Sequence, residues 1–324
     1  LRDVLAELKR NTGYPRPFPL VAILGPTAVG KTAISLRLAS EIRGEIVNFD
    51  SIQVYKGLDI GSAKPAMEER SRIPHHLIDI VDPDEPFDAA LFAAKAQMAI
   101  KSITFRGRVA ILTGGTNLYL KALLEGLAPC PGEAHALRTM LRGIARDAGA
   151  GILHEFLFRI DPKTAERLHP NDSFRVIRAI EVYSLTGQPV SFWHEKHQND
   201  AAARPQCIKI GLMRPMDELY ERIDRRVDAM VEAGLIDEVR RLLMMGYSSG
   251  LKPLQSLGYR HIIQFLSGEV DLPEALRQLK RDHRHYARRQ LIWLRREHGI
   301  TWLHPDKLKG VKNIWPIISG AAGN

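Results

Sequence analysis

The sequence predicts an α/β protein: a P-loop NTPase-like parallel sheet core, a helical insertion domain and a helical C-terminal region. Three observations predict it. The stretch Gly25-Pro26-Thr27-Ala28-Val29-Gly30-Lys31-Thr32 fits G-x-x-x-x-G-K-[ST], a phosphate-binding P-loop. An apolar run of buried parallel-strand character, residues 20–24, precedes it, and Ala33, Ile34, Leu36, Leu38 and Ala39 follow at spacings that suit a helix with one buried face. Strand-like and helix-like stretches then alternate to about residue 125, and a strand-like run returns at 208–212 after a purely helical interval.

In chain order, residues 1–9 predict a short amphipathic helix, unlike a signal peptide, and Pro15, Pro17 and Pro19 set it apart as an appendage. In the P-loop, glycines let successive backbone N–H groups turn inward, and the following helix adds its positive dipole end. Lys31 is placed to neutralise phosphate oxygens and the Thr32 hydroxyl to help hold Mg²⁺. A second strand, 45–49, stops at Asp50. The polar, glycine-containing stretch 50–65 has the length and irregularity of a functional loop. A helix at 89–101, a strand at 109–112 ending in Gly114-Gly115-Thr116, and a helix at 117–124 complete the first half. The P-loop, Asp50 and Gly114-Gly115-Thr116 each follow a strand, so they should meet at the carboxyl edge of the sheet.

Residues 126–204 read as an insertion of helices at 134–148, 152–158, 161–168 and 172–185, without a convincing strand. The core is expected to comprise 1–125 and 205–324, its second part carrying two long helices at 217–245 and 273–297. The latter bears Arg277, Lys280, Arg281, Arg284, Arg288, Arg289, Arg295 and Arg296, with Tyr286 and Trp293 interleaved. It suits contact with a phosphate backbone, or is a solvated basic face; stacking by Tyr286 is disfavoured because the core claims that ring.

The chain has 324 residues, 45% hydrophobic and 26% charged, as an ordinary globular protein does. A net charge of +9 favours a polyanionic partner. Cys130 and Cys207, the only cysteines, exclude a cysteine metal centre and a disulfide framework. No apolar run approaches membrane-spanning length, so a cytoplasmic enzyme without a membrane partner is expected. Asp50 has three readings: a Mg²⁺-holding aspartate of Walker B type, a general base facing the phosphate cradle, or a cap on the turn after its strand. Thr116 can offer its hydroxyl to a substrate, cap the turn after two glycines, or do both. The adjacent His75 and His76 are poorly arranged for one metal and favour a structural role.

Several stretches together resemble the tRNA dimethylallyltransferases (tRNA isopentenyltransferases) of the bacterial type. They are residues 25–32, 50–65, 74–83, 112–120, 172–189, 258–260 and 286–295. Asp50-Ser51-Ile52-Gln53-Val54-Tyr55, Asp59-Ile60-Gly61-Ser62-Ala63-Lys64-Pro65 and Tyr286-Ala287-Arg288-Arg289-Gln290 are the most specific. Ser62, His261, His283 and Ile292 depart from the residues usual in the family. The resemblance implies transfer of a dimethylallyl group from dimethylallyl diphosphate to N6 of the adenine just 3′ of the anticodon of tRNA. It implies Mg²⁺, a monomer, Asp50 as the base, and Lys31, Thr116 and Arg138 in the catalytic set. It implies contacts to the anticodon stem-loop from Asp50, Ser51, Ile52, Gln53, Thr116 and Arg138, from Ser173, Phe174, Arg175, Val176 and Ile177, and from Gln255, Ser256, Leu257, Gly258, Tyr259 and Arg260. A small-molecule kinase, an isopentenyltransferase acting on free adenine nucleotides, and a nucleic-acid-binding protein with a regulatory P-loop are the competing classes.

Overall fold

The computed structural model describes residues 20–130, 134–199 and 205–308. The helix expected at 1–9 lies outside them. The chain forms two compact units, one reaching Leu124 and resuming at Pro205, the other Glu125–Arg204.

In the first unit six strands make one sheet: β1 (Leu20–Leu24), β2 (Gly44–Asn48), β3 (His75–His76), β4 (Val109–Thr113), β5 (Cys207–Leu212) and β6 (Ile300–Leu303). Their order is β3-β2-β4-β1-β5-β6, and every pairing is parallel. Parallel strands need crossovers, and the helices that supply them cover both faces, which is why β1 is buried throughout. Leu20, Ala22 and Leu24 point to one face, among Phe92 and Ala96 of the helix Ala89–Phe105 and Leu120 of the helix Asn117–Leu124. Val21 and Ile23 point to the other, among Ile34 and Leu38 of the helix Lys31–Ile42 and Leu219 and Ile223 of the helix Met216–Glu232. Each such large apolar side chain contributes roughly 1.5–3 kcal/mol by leaving water. Ile23 and Asn48 are both in register with Thr113, so the carboxyl ends of β1, β4 and β2 stop level on neighbouring strands.

Several expected elements take another form. The helix predicted over 217–245 is two, Met216–Glu232 and Leu235–Met244. Gly234, at φ 97°, separates them in a left-handed conformation that costs an L side chain but not glycine. The helix predicted over 161–168 is a single turn, Pro162–Ala165. Asp161 caps it by accepting from the Thr164 N–H at 3.1 Å, and its other oxygen accepts from Ser191 N–H at 3.0 Å. β3 and β6 are additional strands, one only two residues long and the other at the far sheet edge after the last long helix, Leu272–Leu294.

The second unit is helical among its described residues. His135–Asp147, Ala150–Ile160 and Ser173–Thr186 pack around Leu141, Leu153, Leu157, Val176 and Ile180. Glu181 is wholly buried there, bonded through Oε2 to Arg138 at 2.7 Å and Arg178 at 2.8 Å. Burial opposes its charge, but these bonds outweigh that and lower its pKa.

Candidate active site

A cavity of about 850 Å³ opens at the carboxyl edge of the sheet, and the segments after β1, β2 and β4 all line it. The P-loop turns from β1 into the helix Lys31–Ile42, with Ala28 at φ 62° and Gly30 at φ 108°. Lys31 Nζ donates to the carbonyls of Gly25 and Pro26, each at 2.9 Å, so the amine curls over its own loop. Burial lowers its pKa to about 7; neighbouring Arg226 adds to the effect and Asp50 opposes it. Thr32 is exposed on the first helical turn and lines the cavity.

Asp50 follows β2 through Phe49, whose N–H donates to Thr113 at 2.9 Å and whose carbonyl accepts from Thr116 N–H at 3.2 Å. Asn48, the polar break in that strand, donates to Leu77 O at 3.2 Å and accepts from Asp50 N–H at 3.3 Å. The capping and the catalytic readings of Asp50 divide between its two oxygens. Oδ1 accepts from the N–H groups of Ile52 at 2.9 Å and Gln53 at 3.4 Å. Oδ2 faces Gly115, where even a Cβ would come within 2.9 Å of it. A side chain at Gly115 would have to push the carboxylate aside.

Thr116 stands one contact away from the cavity wall. Its hydroxyl accepts from Ser51 N–H at 2.9 Å and donates to Ser51 Oγ at 3.0 Å, so it positions the loop after Asp50 from behind the cavity lining. Ser51, Ile52 and Gln53 line the cavity, and the Gln53 amide also bonds inward, to the carbonyls of Ser62 at 3.0 Å and Ala63 at 3.1 Å. Gln255, Ser256, Leu257 and Arg260 line it as well. Gly258 and Tyr259 do not: both are buried, and the Tyr259 hydroxyl donates to Glu238 at 2.7 Å. That same carboxylate accepts from the N–H groups of Asp59, Ile60 and Gly61, which holds the loop in place.

Arg138 belongs to the second unit, as do Ser173–Ile177. Phe174 and Arg175 are exposed there, but Val176 and Ile177 are core residues, the first wholly buried and the second nearly so. A helix turns about 100° per residue, so five consecutive positions cannot share one face. His76 bonds Glu45 at 2.6 Å, and His75 bonds Ile73 O through Nδ1 at 2.7 Å while also lining the cavity.

Sequence reasoning missed the arginines beside the P-loop. Arg222, Arg225 and Arg226 of the helix Met216–Glu232 line the cavity. Arg222 donates to Ala28 O at 2.8 Å and Arg226 to Thr27 Oγ1 at 3.4 Å. Burial lowers the pKa of Arg226, and Asp50 opposes that. A signal existed: Arg222 and Arg226 stand four apart beside the buried stripe Leu219, Ile223 and Val227. Gln290 was also missed as a site residue. It accepts from Thr27 N–H at 2.8 Å and donates to Gly115 O at 2.8 Å, clamping the P-loop to the β4 loop. Tyr286 donates to the same carbonyl at 2.9 Å.

An anion cradle after β1, a carboxylate after β2 and arginines set against the P-loop define a P-loop α/β protein whose cavity suits a phosphate-bearing ligand. A profile of the IPP transferase family matches residues 53–297. The tRNA dimethylallyltransferase 2 of Geotalea uraniireducens is 47% identical over 295 residues, 91% of this chain and 95% of that protein. A crystal structure of the tRNA isopentenylpyrophosphate transferase of Bacillus halodurans is 41% identical, with a TM-score of 0.69, and covers 94% of this chain and 97% of its own. A eukaryotic dimethylallyltransferase acting on tRNA gives a TM-score of 0.73 at 27% identity, over 93% of this chain and 78% of its own. The chain belongs to the IPP transferase family.

Proposed function

We propose that this protein transfers a dimethylallyl group from dimethylallyl diphosphate to tRNA, onto N6 of the adenine just 3′ of the anticodon. The observation that carries this is the convergence, in one cavity, of the P-loop, the free oxygen of Asp50 and Arg222, Arg225 and Arg226. The diphosphate takes the P-loop end, where backbone N–H groups, Lys31 and the arginines stabilise the charge that grows as the C1–O bond breaks. The N6 lone pair is delocalised into the ring, so the amine is a weak nucleophile until its proton is drawn away. Asp50 Oδ2 accepts that proton as the N6–C1 bond forms, and diphosphate leaves. The adenine must leave its loop stack to reach the cavity.

Among the described residues no group of three His, Cys, Asp or Glu is disposed to hold a metal. Thr32, exposed at the cavity, fits Mg²⁺ that arrives with the diphosphate. Bound by the Thr32 hydroxyl and diphosphate oxygens, the ion would supply further charge neutralisation. Among the described residues no helix is long and apolar enough to cross a membrane. A monomer acting in the cytoplasm, where tRNA is modified, is the form in which we expect it to work.

Incubation with labelled dimethylallyl diphosphate and either unmodified tRNA or ATP, ADP and AMP tests the reading: label should enter tRNA alone. Asp50→Asn should lower the single-turnover rate by roughly 10²–10⁴-fold, with diphosphate binding and the Mg²⁺ optimum unchanged. A shifted Mg²⁺ dependence would make Asp50 a metal ligand instead.

A further inference from the structure

Two buried polar atoms of the cavity lining, Nε2 of His75 and Nε2 of His283, have no hydrogen-bond partner and no function in the mechanism above; of the two, His283 belongs to the helix that also brings Tyr286 and Gln290 to the cavity. His283, on the helix Leu272–Leu294, lines the cavity, and its Nε2 is buried without a hydrogen-bond partner. Its relative exposure is 7%. A buried polar atom left unpaired is costly, so a side chain held in this state wants a partner that arrives from outside.

The helix supplies the cavity with one stripe: His283, Tyr286 and Gln290 stand at i, i+3 and i+7. The two lower members are committed. Gln290 uses both ends of its amide on Thr27 and Gly115, and Tyr286 uses its hydroxyl on Gly115. His283 lies roughly 10 Å along the helix axis from Gln290, at 1.5 Å per residue. It is thus removed from Gln290 and lies among Arg226, Arg260, His261 and Asp282, all of which act on its charge.

The surroundings suit a neutral partner. Burial lowers the pKa of His283 to about 3, assisted by Arg226, His261 and Arg260, with Asp282 opposing. The imidazole is therefore neutral at working pH. A phosphate arriving here would be served by the arginines already charged; an uncharged imidazole suits the heteroatom edge of a nucleobase.

We propose that His283 is a specificity-determining residue of the acceptor site, its Nε2 forming a hydrogen bond with a ring nitrogen of the adenine to be modified. This rests on the function proposed above. The contact operates as a discriminator: an acceptor lacking the recognised nitrogen leaves Nε2 buried and unpaired, and transfer slows.

The test uses anticodon stem-loops carrying adenine, 1-deazaadenine, 3-deazaadenine or 7-deazaadenine at the target, with the wild-type protein, His283→Ala and His283→Gln. The wild type should lose roughly tenfold or more in kcat/KM on one deaza acceptor, and His283→Ala should show no such discrimination. On adenine, His283→Ala should fall by a similar factor in kcat/KM for the stem-loop with KM for dimethylallyl diphosphate unchanged. His283→Gln, which keeps a hydrogen-bonding group at similar reach, should recover much of the loss. If His283→Ala discriminates among the acceptors as the wild type does, if the wild type itself shows no discrimination, or if KM for the diphosphate is what changes, the inference is wrong. If the wild type transfers nothing to the adenine stem-loop, the function proposed above fails and this inference with it.

Discussion

Two basic helices cross the first unit, and they use their charge in opposite ways. On Leu272–Leu294 most of the cations are bound to the protein itself, the exception being Arg289, which lies over the Tyr286 ring at the cavity. Arg277 pairs with Glu274 at 2.7 Å, Lys280 with Asp228 at 2.6 Å, and Arg281 with Asp282 at 3.0 Å. Arg284 is bidentate on Asp224, and Arg288 donates to the Tyr220 hydroxyl. Met216–Glu232 supplies three of those partners, Tyr220, Asp224 and Asp228, yet turns Arg222, Arg225 and Arg226 into the cavity. Among the described residues none of those three arginines has an ion-pair partner, and Arg226 carries its charge against a burial penalty. The helix that looks more basic in sequence is the more neutralised in place. A charge matters to a ligand when the fold has left it unpaired near where the ligand must sit.

The largest effect expected from this contrast is at Arg226. Arg226→Gln should lower kcat/KM for dimethylallyl diphosphate by roughly 10²–10³, the usual consequence of removing one aimed donor from developing charge. Affinity for tRNA in a filter assay should be nearly unchanged. Losses confined to tRNA binding would move Arg226 to the acceptor side and break the contrast.

A second, intermediate effect is a proton. In the free protein Lys31 has its pKa lowered to about 7, chiefly by burial. Diphosphate oxygens beside the amine favour its charged form, so binding should draw in a proton above that pKa. Calorimetry in buffers of different ionisation enthalpy should report uptake approaching one proton between about pH 8 and 9, vanishing below about pH 6, where Lys31 is already charged. Arg226→Gln should diminish the uptake at pH 8, because loss of that neighbour lets Lys31 hold its proton unaided.

The smallest effect is expected at Arg284. Arg284→Gln should change the transfer rate less than about twofold, leave the salt dependence of tRNA binding unaltered, and cost about 0.2–1 kcal/mol of stability, as half-exposed ion pairs do. A salt slope shallower by about one unit would show that Arg284 reaches a phosphate after all.

How far local pattern reaches can be judged from particular residues. The P-loop, β1 and the helix Lys31–Ile42 follow from an apolar run, a glycine-spaced turn and helical periodicity, all set by neighbours in the chain. The meeting of Asp50 with Gly115 at the sheet edge also follows, because parallel strands place the segments after them on one side. The break at Gly234 was available to a closer reading of a glycine past a helical stretch. Val176, Ile177 and Tyr259 went astray for a different reason: a run that resembles a binding segment still rotates through a core.

The sequence by itself determined the four inner strands of the sheet, the anion cradle and the carboxylate after β2, because these depend on residues close in the chain and on the handedness and connectivity of parallel strands. Only the tertiary structure decided which Asp50 oxygen stays free, which arginines remain unpaired, and that Gln290 clamps Thr27 to Gly115 across 263 and 175 residues of chain. Those outcomes depend on distances between side chains from separate elements, and no periodicity along one strand or helix encodes them.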